Sequence, residues 1–114
     1  MADRVRYRYR LVPDRCFEYV SPGIEKLIGY TPEEHYADPD LGRKIVHKYF
    51  ADAIERCFGE DPRSASLHVC WIHKDGSEVW VEQFNSVIRD ENGLPIAVEG
   101  FAEPREPPPG WTGK

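Results

Sequence analysis

The residue pattern predicts an α+β fold: one antiparallel sheet with short helices over one of its faces. Three observations carry this. Strand-like runs stand at both ends of the chain, helical spacing fills the middle, and the last third reads as consecutive hairpins. That last third, Ser66 to Ala102, holds three runs rich in Val, Ile, Trp and Phe, divided by Asp75-Gly76 and by Asp90-Glu91-Asn92-Gly93. Such clusters between apolar runs are hairpin turn signals. A three-strand meander has two faces, and each must be solvated, packed on helices or covered by a partner.

Residues 5–12 alternate strictly, with Val5, Tyr7, Tyr9 and Leu11 on one face and Arg6, Arg8 and Arg10 on the other. That period of two marks a strand with one buried face. The arginines read either as an anion patch or as a solvated face paired with carboxylates. In a chain of net charge −5 the second reading is favoured. Pro13-Asp14-Arg15 turns the chain into a second short strand, residues 16–20.

Ser21-Pro22 then opens a helix, with Ser21 as the expected N-cap and Pro22 in the first turn. Ile24, Leu27 and Ile28 form its apolar face, and Gly29 stops it. Thr31-Pro32-Glu33-Glu34 has the form of a capping box and starts another helix. Asp38-Pro39-Asp40 turns again. From about Leu41 to Phe58 apolar residues keep helical spacing, as two helices or as one that bends near His47. Gly59 ends that run.

The 114 residues suffice for one domain, and 40% apolar with 31% charged residues is an ordinary globular composition. An acidic chain has no global field for nucleic acid or anionic lipid. No stretch approaches the ~18 apolar residues of a membrane span, and no signal-peptide core is present. Cys16, Cys57 and Cys70 are odd in number and irregularly spaced, which suits reduced thiols and a cytoplasmic location. Residues 1–103 are expected to form the domain, and the proline-rich residues 104–114 a tail or linker.

His68, Cys70 and His73 do not make a metal set. On a strand His68 and Cys70 share one face and His73 takes the other, so structural roles are expected for each. No glycine-rich phosphate loop is present, and Ser21 sits in Ser-Pro-Gly rather than in a nucleophile elbow.

Several motifs recur together in a specific order: Phe17-Glu18-Tyr19-Val20-Ser21-Pro22, Ile24-Glu25-Lys26-Leu27-Ile28-Gly29-Tyr30, Val46-His47, Lys74-Asp75-Gly76-Ser77 and Trp80-Val81-Glu82. Asp90-Glu91-Asn92-Gly93 and Val98-Glu99-Gly100-Phe101-Ala102 continue them. In these, residues 5–102 resemble the PAS domains of bacterial signalling proteins. The resemblance implies a five-stranded antiparallel sheet of order 2-1-5-4-3, with helices making a pocket over its inner face. It implies a module that is not itself an enzyme, that senses a ligand or dimerises, and that serves the output domain of a kinase, cyclase or transcriptional regulator. Two departures stand out. Glu103-Pro104-Arg105 replaces the Asp-Ile-Thr-like triplet that leads to an output helix, and Lys48-Tyr49-Phe50 replaces Pro-Asp-Asp after Val-His.

The register implied by the resemblance turns Leu67, Val69 and Trp71 inward, together with Val81, Gln83, Asn85 and Val98. With Ile54 and Phe50 from the helices, these are the candidate pocket residues. Gln83 and Asn85 either meet a ligand or are satisfied within a filled core. A small organic ligand is expected in preference to flavin or haem. The light-sensing flavin branch needs a Cys in an Asn-Cys-Arg-Phe-Leu-Gln-like helix, and Cys57 lacks those neighbours. His47 falls on a Val-His segment shared by members without haem.

Outward-facing Trp80, Phe84, Ile88 and Phe101 form an apolar stripe of a kind seldom left exposed. The chain begins almost at its first strand, so a second copy is the expected cover, giving a homodimer. The competing reading is a small α+β enzyme with acid–base chemistry in a conical pocket, using His35, His47 or Glu34. A third is a collapsed core that binds only proteins.

Overall fold

The computed structural model describes residues 4–111. Its elements run β1 (Val5–Arg10), β2 (Cys16–Val20), α1 (Gly23–Ile28), α2 (Pro32–Ala37), α3 (Leu41–Lys44), a 3₁₀ turn (Lys48–Phe50), α4 (Ala51–Phe58), β3 (Ala65–Ile72), β4 (Glu78–Arg89) and β5 (Pro95–Pro104). All strand pairs are antiparallel, and the sheet order is β2-β1-β5-β4-β3. The α+β class and the strand order are therefore those expected.

Local chemistry explains most boundaries. Gly29 takes φ 83°, a left-handed conformation open to glycine, and its N–H bonds to the Glu25 carbonyl to close α1. Thr31 and Glu34 complete a reciprocal capping box at α2, at 3.1 and 2.8 Å. Ser21 differs from expectation. Its hydroxyl accepts the Arg6 N–H at 2.9 Å instead of capping α1, so it fastens the start of the helix layer to β1. The run from Leu41 to Phe58 divides in two at residues 45–47. There the backbone leaves the helix to meet the free edge of β3: Ile72 N–H donates to the Ile45 carbonyl (2.5 Å) and His47 N–H to the Cys70 carbonyl (2.9 Å).

Val5, Tyr7, Val20, Ile24, Ile28, Leu41, Ile45, Val46, Ile54, Val69, Trp71, Val81 and Ala102 make the main core, between the sheet and the helices. Tyr9, Leu11 and Val98 form a smaller cluster with Phe17 and Phe58 at the other end. On the opposite face, Arg8 pairs with Glu18 and Glu99 and Arg10 with Asp14 and Glu18, so these two arginines act as a solvated, ion-paired strand face.

The proline-rich segment after β5 lies on that outer face. Arg105 N–H bonds to the Trp80 carbonyl (2.8 Å) and its guanidinium to Glu82 and Glu103, while the Glu106 carbonyl meets His68 Nε2 at 3.0 Å. Trp111 then packs against Trp80 (4.9 Å between ring centres), His47, Tyr49 and Phe50, and its Nε1–H donates to Glu78. Trp80 is consequently 6% exposed. This corrects its expected place in an open stripe awaiting a second copy: the chain's own residues cover it. Trp111→Ala should cost about 1–2 kcal/mol, below the range for a full core Trp because the ring is half-buried. It should also shift tryptophan emission to the red as Trp80 meets water. An unchanged spectrum with unchanged acrylamide quenching would refute this packing.

Candidate functional site

Strand alternation aims Tyr7 from β1, Trp71 from β3 and both amides of β4 into one buried space, where they form a chain of hydrogen bonds. Trp71 Nε1–H donates to Gln83 Oε1 (3.1 Å), Gln83 Nε2–H to Tyr7 Oη (3.0 Å), and Tyr7 O–H to Asn85 Oδ1 (2.5 Å). Gln83 and Asn85 are each 4% exposed, so partners are obligatory. Tyr7 reaches Asn85 across β5 because Gly100 stands opposite both. A Cβ there would lie 2.6 Å from the Phe84 carbonyl, 2.7 Å from Asn85 Oδ1 and 2.9 Å from Tyr7 Cε1. Burial raises the Tyr7 pKa, against the Gln83 hydrogen bond that lowers it. Burial likewise raises that of Cys57, with Asn85 opposing. Both groups are neutral at ordinary pH.

Beside this relay lies a cavity of about 60 Å³ with a nearly all-apolar surface. The sheet contributes Tyr7, Tyr9, Phe17, Val20, Trp71 and Gln83; the helices and their connections contribute Ile24, His35, Pro39, Gly42, Arg43, Ile45, Ile54 and Phe58. Of the residues expected to line a pocket, Trp71, Gln83 and Ile54 do. Leu67, Val69 and Val81 belong to the packed core, Val98 to the smaller cluster, and Asn85 to the far end of the relay. Phe50 is partly buried against the main core, and its ring also contacts Tyr49, Trp80 and Trp111 near the β3 edge. Tyr7 and Tyr9 were visible as the inward face of β1 but were not assigned to the pocket. Phe17, His35 and Arg43 carry no periodic signal, since they come from an irregular strand and from helices of four and six residues.

The cavity wall carries no carboxylate among the described residues. Arg43, which is on the wall, is bound by Glu55 (2.6 Å) and Asp40 (3.5 Å) and donates to the Phe58 carbonyl. His35 packs edge-on against Phe17 at 5.1 Å, and its Nδ1 meets the Thr31 carbonyl at 2.9 Å. Burial lowers its pKa below the ordinary 6.5, opposed by the Thr31 carbonyl and Glu34.

That shift has a sign. Below pH 6.5 the unfolded chain takes up the His35 proton before the folded one does, so stability falls as pH drops through 6.5 and levels off once the folded pKa is passed. Denaturation midpoints between about pH 7.5 and about pH 5 should therefore fall less in His35→Gln than in the parent. Equal slopes would show that the imidazole is not held neutral.

The outer face is the second candidate surface. Phe84 and Phe101 stack at 4.8 Å and 23°, with the Arg4 guanidinium 4.2 Å and that of Arg6 5.9 Å from the Phe101 ring centre. Both rings and Ile88 are half-buried.

Residues 17–102 match the family model described as PAS fold. No curated protein matches the chain. Among solved structures, the N-terminal domain of a diguanylate cyclase with a PAS/PAC sensor from Marinobacter aquaeolei is 21% identical. Its TM-score is 0.74, over 88% of this chain and 93% of that one. A domain of the putative light and redox sensing histidine kinase from Haloarcula marismortui is 14% identical with TM-score 0.78, covering 90% of each chain. A light-oxygen-voltage domain studied with a flavin analogue is 18% identical with TM-score 0.73, over 91% of this chain and 78% of that one. The match over residues 17–102, three quarters of the chain, shows that this chain belongs to the PAS-fold family.

Proposed function

We propose that this chain is a sensory module of a signal-transduction protein, of the kind that serves a histidine kinase, diguanylate cyclase or transcriptional regulator, and that it responds to a compact small molecule between sheet and helices. The observation that carries this is the apolar cavity of about 60 Å³ beside a buried polar relay. Apolar clefts with a few placed polar groups are the general form of small-molecule sites. The wall holds no carboxylate among the described residues, and its imidazole is buried, which supports a binding role over acid–base catalysis. The three free thiols and the net charge of −5 support a cytoplasmic module that engages neither nucleic acid nor membrane. No helix among the described residues is long and apolar enough to cross a bilayer.

The residues do not fit a flavin, although light-oxygen-voltage domains share the fold. Gln83 is spent on Tyr7 and Trp71 and the Asn85 oxygen on Tyr7, and the cavity, which Asn85 does not line, is far below the ~300 Å³ typical of cofactor pockets. Haem fits no better, since His47 accepts the Tyr49 N–H and packs on Trp111, away from the cavity wall. Native mass spectrometry and visible absorption of freshly purified protein test the reading. A colourless protein carrying an adduct of low mass is expected. A chromophore would overturn the fit argument.

A second reading concerns partners. The stacked Phe84 and Phe101, with Ile88 nearby, leave an apolar surface that a second copy is proposed to cover, now without Trp80. Light scattering after size exclusion should report a dimer at tens of micromolar, which Phe84→Arg should convert to monomer. A parent protein that runs as a clean monomer would count against it.

A further inference from the structure

The cavity wall contains one hydrogen-bonding group that the fold leaves unspent. Tyr9 is 3% exposed, its ring held edge-on between Phe17 at 5.0 Å and Phe58 at 5.8 Å, and its buried hydroxyl has no hydrogen-bond partner. Tyr7, two residues earlier on the same face, shows the contrast: its hydroxyl both accepts and donates within the relay. Asn85 Nδ2 is also unpartnered, but Asn85 does not line the cavity. A buried hydroxyl without a partner is an exception that calls for a reason.

The neighbourhood of Tyr9 restricts what supplies that partner. Arg43 and Arg15 lie close enough to lower its pKa, against burial, which raises it. Arg43 approaches the hydroxyl oxygen as a donor without closing a full hydrogen bond, and an arginine offers no acceptor, so the Tyr9 O–H itself stays without one. Arg43 is occupied by Glu55, Asp40 and the Phe58 carbonyl, and Arg15 by the carbonyls of Phe58 and Gly59. Arg43 on the wall is already paired with Glu55 and Asp40, so the cavity offers no unpaired charge to an ionic guest. Its remaining surface is apolar. One water needs about 10–15 Å³, so about 60 Å³ suits a core of about four to six heavy atoms.

We propose that the ligand is a compact, neutral, mainly apolar molecule bearing one carbonyl-type acceptor, which takes the hydrogen bond of Tyr9 O–H. This rests on the pocket reading above and goes further in assigning the recognition to β1 instead of to the amides of β4. Gln83 and the Asn85 oxygen are used within the relay; Tyr9 turns its hydroxyl toward the guest.

Cyclopentanone and methylenecyclopentane share a shape and differ in replacing C=O by C=CH₂, so they isolate the acceptor. Their affinities for the full chain and for Tyr9→Phe can be read from the isoleucine methyl signals of Ile24, Ile45 and Ile54 in titrations. The ketone-to-alkene affinity ratio should drop roughly fivefold to tenfold in Tyr9→Phe, the effect of one hydrogen bond, while alkene binding stays unchanged. Tyr9→Phe removes an unpartnered group, so its melting temperature should equal or exceed that of the parent. A ratio unmoved by the substitution overturns the acceptor assignment and leaves the pocket reading intact. Failure of both molecules to bind overturns both. A marked loss of stability in Tyr9→Phe shows that the hydroxyl is already partnered and refutes the proposal on separate grounds.

Discussion

The sheet depends on Tyr7 reaching Asn85 across Gly100. That contact, with Gln83 and Trp71, ties β1, β4 and β3 together through side chains, and β5 takes part by having none at the crossing. Each bond contributes about 0.5–1.5 kcal/mol net, but leaving one of these buried groups unpaired costs about 1–3 kcal/mol. The asymmetry makes the relay a register lock. A one-residue slip of β4 would turn Gln83 and Asn85 to the outer face and bring Phe84 and Ser86 inward, stranding Tyr7 and Trp71. An apolar inner face alone would not discriminate so sharply between registers.

The relay also bounds the open space. Because the two amides satisfy Tyr7 and Trp71, the open space falls to the β1–β2 side, beneath α2, α3 and α4, where Phe17, His35 and Ile54 meet. The same strand thus performs both tasks with one residue type. Tyr7 spends its hydroxyl on the sheet and Tyr9 does not. The difference comes from what stands across β5. Tyr7 is opposite Gly100, which leaves room to reach the amide of Asn85, whereas Tyr9 is opposite Val98, with Val87 and not an amide beyond it.

The strands, their order and their inward faces were legible because period-two alternation is a property of the chain itself, and the motif order supplied the topology. The pocket was less legible. Leu67, Val69 and Val81 follow the inward pattern and end in packed core, since facing inward and lining a void are different things. Trp71, Gln83 and Ile54 do reach the void. Phe17 and Arg43 enter it from segments too short or irregular for any period to register. The cover over Trp80 is illegible for another reason. The proline-rich composition of residues 104–111 signals only that they continue neither strand nor helix. It carries no information about docking, which here depends on Arg105, Glu106 and Trp111 finding partners on β3 and β4.

The inner cavity and that outer segment meet at one place in the chain. Ile45 lines the cavity and accepts the Ile72 N–H, Val46 bridges to Trp71, and His47 bonds to Cys70 and packs on Trp111. Three consecutive residues therefore touch the void, the free sheet edge and the C-terminal segment. A helix continuing through residues 45–47 would have kept these groups on one side of the sheet. The break between α3 and the 3₁₀ turn leads the chain along the β3 edge instead, and Phe50 completes the path by stacking on Trp111. A PAS-fold chain that lacks the usual exit triplet at Glu103-Pro104-Arg105 still has a packed route between its two faces, made of edge hydrogen bonds and aromatic contacts.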